Sequence, residues 1–153
     1  MKKLLVMLMA VFLCSLSAWC RPSVATIGVA VTRSNDFAHA KTMLTNDGLV
    51  YDSKSTSDHA IFKIANSAYA DEVLIVEVFK KKNSKKVEKC VITFGDKYLG
   101  NLDTDLRRLG YSSETYGLSV DPYQMLYNNE QYAMGFKLNE KGWCEATFFR
   151  YDQ

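Results

Sequence analysis

The sequence predicts an α+β fold, a predominantly antiparallel sheet with two helices packed on one face. Three observations carry this prediction. Residues 73–79 and 87–94 are dense β-branched and aromatic runs, and the polar segment between them is too short for a crossover helix. Apolar residues recur at helical spacing in two places, over Phe37, Ala40 and Leu44 and over Tyr98, Leu102, Leu106 and Leu109. Each of those stretches ends on a glycine, Gly48 or Gly110, the residue best suited to a left-handed helix C-cap.

Residues 1–20 stand apart from that fold. Lys2 and Lys3 precede an unbroken apolar run over 4–13, followed by a smaller, more polar stretch. This is the pattern of a secretory signal peptide, and it is short for a membrane span. Ser15 and Ser17 allow cleavage after Ser17, Ala18 and Cys20 allow it just before Arg21, and Ser23 with Ala25 allows a later cut. Lipidation at Cys20 is the minor alternative, because Trp19 is bulky where a small residue is required. The expected location is the periplasm or the exterior of a bacterial envelope, with residues 21–153 forming a single exported domain. Nothing later in the chain is apolar enough to be an integral membrane segment. Removing Lys2 and Lys3 with the signal leaves 17 basic and 17 acidic residues. That neutrality argues against a nucleic-acid or anionic-membrane partner.

Taken in order, 24–31 is β-branched and apolar and reads as a first strand. Ser34, Asn35 or Asp36 is placed to cap a helix over Phe37–Asn46. A short strand from Leu49, a hydroxyl-rich loop over 52–58 and a strand over 60–65 follow. The hairpin over 71–94 is the spine. Leu74, Val76 and Val78 point one way, and Val73, Ile75, Glu77 and Phe79 point the other, so its first strand reads as central. Its tip carries Lys80, Lys81, Lys82, Lys85 and Lys86, with Lys89 just beyond. No aromatic or arginine is interleaved to read a nucleic acid, and a solvated tip that resists edge-to-edge pairing is the expected role. A second helix is expected over 101–109, then short strands over 111–116 and 123–127. A final hairpin turns at Asn139-Glu140-Lys141-Gly142. A shift of 62 residues places Gly48 on Gly110, Leu44 on Leu106 and Ala40 on Leu102. This faint echo suggests an internal duplication.

The chemistry points to binding rather than catalysis. There is no P-loop, dinucleotide fingerprint, EF-hand loop, HExxH or CxxC pair, so no cofactor or metal is expected. His39 and His59 are twenty residues apart and match no compact ligand spacing. His59 with Ser53 or Ser57 and Asp52 is the one arrangement from which a small envelope hydrolase could be drawn. Tyrosine is the compositional oddity: Tyr98, Tyr111, Tyr116, Tyr123, Tyr127 and Tyr132 fall close together. Tyr116, Tyr123 and Tyr127 are the candidate contact residues for a protein partner or a glycan, because tyrosine offers rigid amphipathic surface. The leading expectation is a non-enzymatic exported binding or inhibitor protein, with a structural envelope role as a further alternative. Cys90 shares its strand face with Ile92 and Phe94, and Cys144 shares its face with Ala146 and Phe148. In an oxidising compartment a Cys90–Cys144 disulfide is therefore expected, against the alternative of two separate buried thiols.

Overall fold

The computed structural model describes residues 23–34, 36–64, 73–114, 123 and 125–151. The expected signal segment and Tyr116 lie outside the described residues. In chain order the elements are α1 (Val24–Arg33), α2 (Phe37–Asn46), β1 (Leu49–Tyr51), β2 (His59–Ile64), β3 (Leu74–Lys80) and β4 (Val87–Phe94). A 3-10 turn (Asp96–Tyr98), α3 (Leu102–Arg108), β5 (Ser112–Glu114), β6 (Met125–Asn128), β7 (Tyr132–Leu138) and β8 (Cys144–Arg150) complete the described elements. The fold is α+β, one eight-stranded antiparallel sheet with helices on a single face.

Strands β3 and β4 form because β-branched side chains fit a pleated surface and Asn83 accepts the left-handed turn, with φ 58°. The hairpin then recruits neighbours on both sides, and the sheet order is β1-β2-β3-β4-β8-β7-β6-β5. Register fixes two faces. One row reads Ala60, Val78, Cys90, Phe148, Met134, Tyr127, and every member is buried. The adjacent row reads Ile61, Glu77, Val91, Thr147, Gly135, Leu126 and faces the other way. All three helices pack on the first face. Gly28 of α1 lies against the Phe148 ring, Leu44 of α2 and Leu106 of α3 are fully buried in the same core, and Tyr127 bonds Asp103 of α3.

The stretch 24–31, expected as a strand, is the helix α1, so among the described residues three helices rather than two cover the sheet. An apolar run of this length is ambiguous between a buried strand and a buried helix. Tertiary packing decides it. Val24, Ala25, Ile27, Val29 and Val31 are all buried, leaving α1 apolar on most of its circumference as it lies over β4 and β8. Thr32 is satisfied within the helix, its hydroxyl donating to the Gly28 carbonyl at 2.8 Å.

The remaining caps follow the sequence. Asp36 accepts from the Ala38 N–H at 2.6 Å and starts α2. Gly48 and Gly110 take φ 84° and 87°, the left-handed conformation that ends α2 and α3. The cap bonds repeat as well: Asp47 N–H donates to Met43 and Leu109 N–H to Asp105, each at 3.0 Å. Each helix leads into a four-stranded meander, and the last strands of the two meanders, β4 and β8, meet in the middle of the sheet. The two halves therefore repeat one topology.

Candidate functional site

Among the described residues, the sheet face turned away from the three helices carries apolar side chains that core packing does not account for. Over the first meander it presents Ile61, Ile75, Phe79 and Val91, all half-buried. Period-two alternation puts these side chains there because the opposite positions, Phe62, Val76, Val78 and Ile92, fill the core. His59 stacks on Phe79 with ring centroids 4.2 Å apart, and Lys89 lies over the same ring at 4.8 Å. His59 Nε2 meets Glu77 Oε2 at 2.7 Å, so a small polar network crosses the apolar strip. At the far side of the sheet Lys137 pairs with Glu145 at 3.1 Å. The sequence signal for this surface was the apolar character of both faces of β3.

The expected tyrosine surface is not assembled as anticipated. Tyr127 is buried on the helix face, and its hydroxyl donates to Asp103 Oδ1 at 3.0 Å. Burial first, and then the hydrogen bond to Asp103, push its pKa up to about 12. The Arg107 guanidinium on Asp103, followed by the Tyr127 hydroxyl, holds that carboxyl below its usual range. Tyr127 is thus a core strut tying β6 to α3. Tyr123 is half-buried on the opposite face, its ring lying where a Cβ on Gly135 would approach to 2.5 Å. Tyr111 and Tyr132 are buried as well. Strand alternation alone could not place these residues, because the short strands β5 and β6 leave their phase undetermined.

Cys90 and Cys144 are separate buried thiols, a correction to the expected bridge. They occupy adjacent strands on the same face, but Cys90 sits opposite Phe148 and Cys144 opposite Phe94. The offset along the strands is about 13 Å, whereas a disulfide requires Cα atoms within about 7 Å. Burial pushes both thiols up, with Glu77 adding to the effect at Cys90 and Asp96 at Cys144. Both are accordingly poor nucleophiles.

Asp52 and His59 of the expected hydrolase arrangement are paired with other groups, and Ser53 and Ser57 are exposed. Asp52 pairs with Lys63, Asp58 with Lys80 at 2.8 Å, and the Ser55 hydroxyl accepts from the Ile61 N–H. His59 faces Glu77 across the strand, and His39 is exposed on α2. Among the described residues no group of three or more His, Cys, Asp or Glu side chains is placed to hold a metal, and no helix is long and apolar enough to cross a membrane. The tip lysines fan out in different directions. Lys80 reaches β2 through Asp58, Lys89 reaches Phe79, and Lys82 and Lys85 are exposed. No family model, curated protein or solved structure matches the chain.

Proposed function

We propose that this chain is an exported, non-catalytic binding protein that docks another protein on the uncovered sheet face of its first meander. The observation that carries the reading is the one-sided cover of the sheet. Ile61, Ile75, Phe79 and Val91 surround Glu77 on a face that none of the described helices covers, with His59, Lys63 and Lys89 at its edges. Apolar side chains interspersed with charged ones on an uncovered sheet face suit a protein contact, since such interfaces are about as apolar as the rest of a protein surface. Aromatic stacking by Phe79 supplies a rigid anchor. The export signature and neutral mature charge fit a role in the envelope or outside the cell.

The test is capture from envelope extract with the exported chain, repeated with Ile75→Glu and Val91→Glu. These positions face away from the core, so both variants should fold by circular dichroism. A partner retained by the parent chain and lost with either variant supports the reading. A partner held equally by all three chains sinks the surface assignment. Capture of nothing, together with a hydrolytic activity that disappears in folded His59→Ala, would replace binding by catalysis.

A further inference from the structure

The ladder between β4 and β8 stops at Lys89–Phe149, although both strands continue. Beyond that point Val87 pairs with Lys80 of β3, past a register shift, and Arg150 pairs with Tyr132 of β7. The two central strands therefore fork, each following its own meander. The fork holds a cleft of about 500 Å³. Its wall is apolar on one side, where Phe149 and Tyr151 meet edge to face at 6.1 Å. Lys81, Lys86 and Arg150 line it, with Lys89 at the rim and the acids Glu88 and Glu130 opposing them. Arg150 also lies over the Tyr132 ring at 5.8 Å, as Arg33 does at 5.7 Å. At the C-terminal end of α1 the Ser34 N–H donates to the Ala30 and Val31 carbonyls, and the Thr32 hydroxyl donates to those of Gly28 and Val29.

We propose that this fork binds a small anionic molecule, one that carries a carboxylate or phosphate group and a flat or apolar body. The cations take the anionic group, with Arg150 able to hold it in a bidentate manner. Phe149 and Tyr151 take the body. The volume suits a ligand of ordinary metabolite size. The site adjoins the face assigned to a protein partner, sharing Lys89 with it, and it exists because β4 and β8 belong to different meanders.

The test is titration of the exported chain with pyrophosphate and, separately, with citrate, followed by amide shifts in nuclear magnetic resonance, with sodium chloride matched for ionic strength. Saturable shifts confined to residues 86–89, 131 and 149–151 are expected with at least one probe, and the probe that binds names the anionic group. Lys86→Gln should weaken that binding about tenfold, and Arg150→Gln at least as much. Lys82→Gln and Lys85→Gln should leave it unchanged, because these exposed tip lysines do not line the cleft. Equal losses in the tip variants, or shifts no larger than those with sodium chloride, overturn the proposal. Lys86 is an exposed side chain, so its variant keeps the test meaningful if Arg150→Gln disturbs the fold.

Discussion

The two meanders have the same order of elements and differ in what lies on their outer face. In the first, Ile61, Ile75 and Val91 remain half-exposed, and His59 and Lys89 lie against the Phe79 ring. In the second, Thr147, Ala133 and Gly135 are buried and the Tyr123 ring lies on Gly135, while Leu126 and Phe149 stay half-buried. Inside, a shift of 62 residues pairs positions of similar burial. Leu44 and Leu106 are both fully buried, Ala40 corresponds to Leu102, and Leu49 to Tyr111. The lesson is that the helix-facing side answers to packing, which repeats, whereas the outer side is free to diverge. A half that keeps apolar side chains there without cover is the half to suspect of docking.

The internal match is broken most sharply at its centre. Leu44→Ala and Leu106→Ala should each cost about 2–5 kcal/mol, since both leave a cavity beneath a helix. Urea unfolding of the two variants measures this. Costs that agree to about 1 kcal/mol within that range would uphold the equivalence of the halves. A mild effect in one alone would show that its helix can collapse onto the sheet and the other cannot.

The contrast between the faces is sharpened by two glycines. A Cβ on Gly28 would lie 2.3 Å from the Phe148 ring, which is wholly buried and has nowhere to go. Overpacking should outweigh the helix propensity that alanine gains, for a net loss of about 2 kcal/mol in Gly28→Ala. A Cβ on Gly135 meets Tyr123 just as closely, at 2.5 Å, but that ring is half-exposed and can swing away. Gly135→Ala should cost less than about 1 kcal/mol. Thermal melts of the pair decide the matter, and equal losses would mean that Tyr123 is locked as firmly as the core.

The smallest expected effect is in alkali. Tyr111 and Tyr127 of the second half are each held up to about 12, mainly by burial, against about 10 for an exposed tyrosine. A pKa raised on folding stabilises fully below the unfolded value and loses that contribution as pH climbs through the folded one. Stability should therefore fall between about pH 10 and pH 12. Leu49 stands where the second half has Tyr111, so that pair contributes nothing from the first half. Tyr127→Phe should remove its share of the alkaline loss and, at neutral pH, cost about 1 kcal/mol for the bond to Asp103. Ultraviolet titration alongside unfolding at each pH follows both, and an unchanged alkaline profile in the variant would show that Tyr127 ionises without strain.

Much of the architecture was legible before any coordinates. The hairpin β3–β4, the helix Phe37–Asn46, its Asp36 cap and the glycine stops at Gly48 and Gly110 are local decisions. Each depends on residues within a few positions, where propensity and turn chemistry act directly. The candidate site was less legible. Tyr127 reads as surface because tyrosine is amphipathic, yet β6 turns it inward to meet Asp103 of α3.

By itself the sequence determined an antiparallel α+β domain with helices on one face, because alternation and capping are encoded residue by residue. Only the tertiary structure decided three further points. It made 24–31 a helix, since that apolar run had to cover β4 and β8 rather than extend the sheet. It set Cys90 and Cys144 four residues out of register, since pairing between β4 and β8 is fixed by side chains fifty residues apart. It opened the fork beyond Lys89 and Phe149, where each central strand stays with its own meander and a cleft is left between them. Each of these depends on which distant strand becomes a neighbour, and no local pattern carries that information.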